Sequence, residues 1–269
     1  MVALESLVMD AAVVELTAHA PEPRRIRDEG TPEAVWQMWP GLDAIESVPI
    51  EKWIHPAVRL VVVAPHPDDE ILACGGLMAM HAARGGSTLV VAVTDGEASH
   101  AEVPSWRADR LAAVRRAERA QGLSRLGCAS ADVHRLGLAD GKVAGQTTAL
   151  EEELKRVVRW GDIVVTTWRR DGHPDHEACG EAAAGACRAA HCCLLQAPVW
   201  MWHWSTPGDP QVPWHRLVGL GLTSREVAGK QRALAAHASQ LQPRSSAVGP
   251  VLGPAMLERL GRRSEYFFA

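Results

Sequence analysis

Two copies of one tripeptide carry most of the chemistry legible in this chain. They are His66-Pro67-Asp68, within VVVAPHPDDEILACGG, and His173-Pro174-Asp175, within VVTTWRRDGHPDHEACG. Composition alone predicts ~0.04 copies of such a tripeptide, so two in equivalent settings are a signal. Proline pushes the preceding histidine out of helical backbone, while its own φ suits a first helical turn. His66 therefore projects from a strand end, and Asp69 leaves the first turn three residues later on the same side. His173 and His176 repeat that relation. Together His66, Asp69 and His176 offer two imidazoles and one carboxylate with a fourth position left for water, the donor set of a catalytic zinc site. No thiolate is placed to join them, so Fe2+ or Mn2+ suits the same donors. Asp68 and His173 stand beside the three. A carboxylate there is a natural general base, and a histidine a natural oxyanion stabiliser or general acid. Asp175 is placed to orient one of the imidazoles. On charge alone Asp68, Asp69 and Glu70 would also suit a helix N-terminus, but that reading leaves the second copy unexplained.

Such turns need strands behind them and helices ahead of them, and the chain alternates accordingly from about residue 58. Strands are predicted over 59–64, 87–94, 132–136, 162–167, 192–200 and 216–222, and helices over 70–84, 107–126, 147–160, 174–190 and 224–238. The runs RLVVVA and STLVVAVT are continuous and β-branched, as in strands covered on both faces. Repeated units of this kind predict one α/β domain over 58–269: a Rossmann-like, mostly parallel sheet with helices on both faces. In such sheets, ligands bind at the carboxyl ends of the strands, where the two His-Pro-Asp turns converge. Residues 1–57 break the alternation. A helix near the start, the stretch PEPRRIRDEG and the segment TPEAVWQMW read as an N-terminal extension packed on the domain.

Composition narrows the function. Among 269 residues, 28 Lys and Arg against 32 Asp and Glu give a net charge of -4. Nucleic acid and anionic membrane are poor partners for that balance, since phosphate binding needs clustered cations. No apolar run reaches a membrane span, and Glu5, Asp10 and Glu15 interrupt the first twenty residues as no signal peptide would. Six cysteines without a C-x-x-C pair read as buried free thiols, which predicts a cytoplasmic protein. No G-x-G-x-x-G follows the first two strands, which disfavours a dinucleotide-binding module.

PHPDDE after an apolar strand, followed about a hundred residues later by HPDH, resembles the LmbE-like, or PIG-L, family of zinc-dependent N-acetyl-sugar deacetylases. Agreement extends to Thr94-Asp95-Gly96-Glu97, to VRRAERAQGLSRLG with Arg115 and Glu118, to Leu136-Gly137 through Asp140-Gly141, and to K-x-x-A-L-x-x-H-x-S-Q from Lys230 to Gln240. The resemblance covers roughly 58–240. It implies zinc on His66, Asp69 and His176, Asp68 as base, His173 at the oxyanion, and hydrolysis of an N-acetyl amide. Pro65 departs from the alanine common in the family but removes no chemical group.

The substrate side rests on tryptophan. The chain has 10 Trp against 2 Phe and 1 Tyr, and four of them fall in WMWHWSTPGDPQVPW. Rings there could fill core beneath a loop or stack on a sugar or aromatic ligand near the metal. The second reading nominates Trp200, Trp202, His203 and Trp204, with Trp106, Arg107, Arg110 and Trp168 from the ends of other strands. A large apolar acceptor fits this set, so the expected substrate is a small glycosylated molecule of the kind found in glycopeptide-antibiotic (teicoplanin-type) pseudoaglycones. The alternatives are a thiol-cofactor precursor such as a glucosaminyl-inositol, and a non-catalytic metal-binding partner protein. Oligomeric state is not legible.

Overall fold

A computed structural model describes residues 24–269, and the helix expected near the chain start lies outside them. Three short helices come first: α1 (Glu33–Gln37), α2 (Pro40–Asp43) and α3 (Ile50–Trp53). Then β1 (Leu60–Ala64), α4 (Asp69–Ala83), β2 (Thr88–Thr94), α5 (Ala108–Leu126), β3 (Asp132–Leu138) and α6 (Thr147–Val157) alternate. They are followed by β4 (Ile163–Thr167), α7 (Pro174–Ala190), β5 (Cys193–Ala197), α8 (Met201–Trp204), β6 (Leu217–Gly221) and α9 (Ser224–Leu234). The chain closes with α10 (Ala238–Leu241), α11 (Pro254–Leu260) and β7 (Ser264–Phe268).

The seven strands form one sheet in the order β3-β2-β1-β4-β5-β7-β6. β1 through β5 pair in parallel, and β7 lies antiparallel between β5 and β6. The predicted α/β fold is therefore present. Side-chain alternation in β1 divides the core: Leu60, Val62 and Ala64 join the apolar cluster that includes α4 and α9, while Val61 and Val63 join the cluster of α6 and α7. Burying an aliphatic side chain of this kind contributes about 1.5–3 kcal/mol. α7 presents Ala178, Ala182, Ala183 and Ala186 to the sheet, small residues that let it pack close above β1 and β4. Trp36, Leu42, Ile50 and Ile54 from the region before β1 are buried in the first cluster, and Ser47 bridges to Gly219 of β6.

Some elements differ from expectation. The helix predicted over 147–160 stops at Val157, because Val158 turns to extended backbone. The strand expected over 192–200 is shorter, Cys193–Ala197, and Trp200 opens the single turn of α8. α4 starts at Asp69 and is broken at Cys74, whose φ of -150° and ψ of 27° leave the helical region. β7 was not anticipated, since Glu265 occupies an inward position where the period-2 pattern asks for an apolar residue. All six cysteines are free, four of them buried, but Cys193 is exposed at the start of β5. No helix among the described residues is long and apolar enough to cross a membrane.

The strand order places the site. From β1 the chain winds outward to β2 and β3, whereas β4 pairs on the other flank of β1, with Val63 opposite Thr166. The carboxyl ends of β1 and β4 thus flank the point where the winding reverses, the position at which open α/β sheets bind ligands. Both His-Pro-Asp turns leave the sheet there.

Candidate metal centre and active site

The turn after β1 is built around a strained residue. Asp68 has φ 133° and ψ -28°, a conformation that side-chain-bearing residues rarely adopt and that costs of order 1–3 kcal/mol. Neighbouring groups hold it there. The Arg115 guanidinium donates to the Pro67 carbonyl at 2.9 Å and to Asp68 Oδ2 at 3.1 Å, and Thr94 Oγ1 donates to the Pro65 carbonyl at 2.8 Å. Arg115 reaches this position only because Gly96 lacks a side chain, since a Cβ there would lie 2.0 Å from Arg115 Nη1. His173, after β4, caps α7 by accepting a hydrogen bond from Asp175 N–H on its Nδ1 at 3.3 Å.

The two turns bring His66, Asp69 and His176 together as the spacing predicts. His66 Nδ1 lies 3.1 Å from Asp69 Oδ2, and His176 Nε2 lies 3.3 Å from the same oxygen. Those separations match the ~3.3 Å edge of a tetrahedron whose metal–ligand bonds are near 2.0–2.1 Å. Each imidazole also spends its outer nitrogen on carboxylates. His66 Nε2 faces Asp140 Oδ1 at 3.0 Å and Asp175 Oδ2 at 3.4 Å, and His176 Nδ1 faces Asp171 Oδ2 at 2.8 Å. A carboxylate behind each ligating imidazole is the arrangement that fixes ring orientation at metal centres. His66, Asp140 and Asp175 form a second cluster of possible donors, but Asp175 already accepts from the backbone N–H groups of Gly141 and Val143. On this chemistry the residues present fit a divalent cation held between His66 Nδ1, Asp69 and His176 Nε2.

Electrostatics around the cluster favour a bound cation. Burial pulls the His176 imidazole down, but Asp69 and Asp171 outweigh it and push its pKa up to about 9. Burial would raise the Asp69 carboxyl, yet His176 and His66 hold it well below the usual carboxylate range. Asp68, beside them, is raised to about 7 by burial and by the Asp69 charge, against the pull of Arg115. His173 is lowered to about 3 by burial and by the neighbouring His176 and His66, so its imidazole is neutral.

A pocket of about 260 Å³ opens above these groups. Asp68, Asp69, His66, His173 and His176 form its floor, and Leu72, Trp200, Val251 and Leu252 give it an apolar wall. Ser99, Arg115, Asp140 and Gln240 supply polar atoms.

Of the nominated substrate contacts, the structure brings Trp200 to this pocket. His203 lines a neighbouring cavity, where its Nε2 meets the Arg27 carbonyl at 2.8 Å. Trp202 is 2% exposed, edge-on to Trp36 at 5.1 Å and beneath the Arg262 guanidinium at 4.2 Å, so it fills core. Trp168 stacks on Phe268 at 4.4 Å, and Trp204 donates its indole N–H to the Asp171 carbonyl. Trp106 packs edge-on to His100 with Arg110 above it, and Arg107 is exposed and paired with Asp109, all outside the pocket lining. Four of the ten Trp, Trp36, Trp39, Trp202 and Trp214, pack against one another in one cluster.

Sequence reasoning gave no role to Asp171. Its carboxylate holds His176 and also accepts the backbone N–H groups of Val199, Trp200 and Met201 at 2.9–3.0 Å. The one available signal was an acidic residue on the strand–helix turn just before His173. Leu252 and Val251 carried no signal, because only the tertiary fold returns that segment to the site.

A family profile described as PIG-L, GlcNAc-PI de-N-acetylase, matches residues 61–187. The chain is 40% identical over 79 residues to a 1D-myo-inositol 2-acetamido-2-deoxy-alpha-D-glucopyranoside deacetylase 1 of Catenulispora acidiphila, a stretch covering 27% of this chain and 24% of that relative. It is 28% identical over 246 residues to the corresponding deacetylase of Tsukamurella paurometabola, covering 68% of this chain and 83% of the relative. Its fold is similar to that of the antimicrobial reagent A40926 pseudoaglycone deacetylase Dbv21, with a TM-score of 0.60 and 19% identity over 78% of this chain and 96% of that one. Both His-Pro-Asp turns meet at the switch point of a seven-stranded α/β sheet, and over residues 61–187 the chain is similar to the PIG-L/LmbE-like deacetylase family.

Proposed function

We propose that this protein is a metal-dependent N-deacetylase that releases acetate from an N-acetylglucosaminyl compound. The observation that carries this reading is the convergence of His66 Nδ1, Asp69 Oδ2 and His176 Nε2 beside the buried Asp68. His66, Asp69 and His176 hold the cation, zinc being the first choice for two nitrogens and one carboxylate and Fe2+ an alternative. When bound, the cation supplies Lewis acidity toward the acyl oxygen and a nucleophilic water at neutral pH.

The protein groups divide the remaining work. Asp68 takes a proton from the attacking water, a task suited to a carboxyl poised near 7. Arg115 fixes the carboxylate that does this. His173 Nδ1 accepts from Asp175 N–H, so the neutral ring carries its proton on Nε2. That N–H stabilises the oxyanion as the acyl carbon becomes tetrahedral. Asp68 then hands its proton to the leaving nitrogen, and acetate and a free amine depart. Asp175 and Asp140 orient His66, and Asp171 orients His176.

For the substrate, we favour an N-acetylglucosaminyl group on a large aglycone, as in glycopeptide pseudoaglycones. Trp200 on the pocket wall supports this, as an aromatic surface for a ring beyond the sugar. A glucosaminyl-inositol is the second reading, favoured by the names of the curated relatives. Mass spectrometry of the zinc-reconstituted protein incubated with N-acetylglucosaminyl compounds bearing small and large aglycones tests both. Loss of acetyl from the large ones first supports the favoured substrate, and preference for the small ones replaces it with the second. Tight metal binding without acetate from any of them contradicts deacetylation and leaves a non-catalytic metal-binding protein.

A further inference from the structure

Trp200 and Val251 line the pocket above the cluster and also a second cavity, of about 380 Å³. The first pocket alone falls below the ~300–1,000 Å³ usual for small-molecule sites, and the two together fall within that range. The wall between them belongs largely to one segment, residues 243–253, which returns from α10 toward α11. Val251 and Leu252 of this strap face the first pocket, and Gly249, Pro250, Val251 and Gly253 the second.

Arg244 holds the strap down. Its Nε donates to the Gly249 carbonyl at 2.9 Å, bending the strap back on itself. Its Nη1 donates to the Ser99 carbonyl at 3.2 Å and pairs with Glu102, both on the loop after β2. Leu252 N–H donates to the Gln240 carbonyl at 2.9 Å as a second tie. The latch thus joins the two loops that supply Ser99 and Val251 to the catalytic pocket. The far cavity has a donor of its own: the Arg27 guanidinium has no hydrogen-bond or ion-pair partner among the described residues, and Arg259 adds a second cation to the lining. Met256, Pro254 and Trp200 add apolar surface.

We propose that the second cavity is an acceptor subsite for a ring bearing oxygen acceptors, attached to the N-acetylated sugar, and that the Arg244 latch limits how far a substrate reaches it. This rests on the deacetylase reading and adds a determinant of acceptor size. Freed of the latch, the strap swings from the shared wall and the two cavities merge into one groove. A bulky side chain at Gly253 has the opposite effect, since a Cβ there meets nothing within 4 Å and the added group grows into free space.

The test compares kcat/KM for the methyl and 4-methylumbelliferyl glycosides of N-acetylglucosamine, in the zinc-loaded wild type, Arg244→Ala and Gly253→Phe. The large-to-small ratio rises about fivefold or more in Arg244→Ala and falls by a similar factor in Gly253→Phe. Limited proteolysis gives a second readout, with cleavage within 245–249 faster in Arg244→Ala than in the wild type. Ratios within about twofold of wild type in both variants overturn the subsite, and unchanged proteolysis overturns the latch. Absence of acetate from both glycosides in the wild type is the separate failure of the deacetylase reading.

Discussion

Lys230 and Glu265 form a buried ion pair inside the break in α4, the helix whose first residue is Asp69. Lys230 Nζ donates to the Leu72 carbonyl at 2.9 Å and to Glu265 Oε1 at 2.8 Å, while Glu265 accepts from Gly76 N–H at 2.7 Å and Leu77 N–H at 2.9 Å. In an unbroken helix Leu72 O and Gly76 N would bond each other. The pair is therefore inserted into a missing rung, and it satisfies the groups on both sides of the distortion at Cys74.

Glu265→Leu leaves Lys230 charged and unpaired in the core, and urea unfolding is expected to show a loss of about 3–5 kcal/mol. The double change Lys230→Met, Glu265→Leu gives the sharper result. Apolar replacement of a buried pair is often neutral, but here it strands one carbonyl and two N–H groups at about 1–3 kcal/mol each. Recovery of wild-type stability in the double variant would show that the break in α4 does not depend on the pair.

Asp171 links the candidate ligand His176 to the backbone that carries Trp200. Asp171→Asn retains acceptor capacity for Val199 and Met201 on its amide oxygen, but places an NH2 group against His176 Nδ1–H. Zinc affinity measured by chelator competition is expected to fall about 10–100-fold with little change in far-UV circular dichroism. An unchanged affinity would remove Asp171 from the metal centre.

His237 gives the stability a pH dependence that can be read without the metal. Its pKa is lowered to about 3 by burial and by Arg115 and Arg119, against an ordinary value of 6.5. Between those values the unfolded chain binds the proton and the folded protein does not, so stability falls as pH drops. The slope for this one group approaches about 1.4 kcal/mol per pH unit within that window. Unfolding free energies of the wild type and His237→Leu, measured from pH 7 to pH 4.5, should therefore diverge toward acid in favour of the variant. Parallel curves would contradict the buried neutral histidine.

Much of the sheet and the cluster was legible because both rest on local rules. β1 and β4 are continuous β-branched runs, and proline at the first helical turn dictates how His66 and His173 leave them. The less legible parts are long-range. Glu265 carries no local signal of burial, because two of the groups that it binds, Gly76 N–H and Leu77 N–H, lie almost 190 residues earlier. Asp171 and Val251 gain their places through the approach of segments that no periodicity connects. Trp202 and Trp204 share a segment with Trp200 but not its environment, since alternate positions along the single turn of α8 and its N-cap face different neighbours.

In the proposed function, His66, Asp69 and His176 hold a cation beside which Asp68 moves the protons of amide hydrolysis. Acetate release per equivalent of bound zinc, measured for wild type and Asp68→Asn on one N-acetylglucosaminyl glycoside, tests it most directly. The asparagine keeps an acceptor for Arg115 and leaves the three ligands in place, so zinc content should remain that of the wild type while turnover drops about 10²–10⁴-fold. Equal turnover at equal zinc content would remove Asp68 from the chemistry.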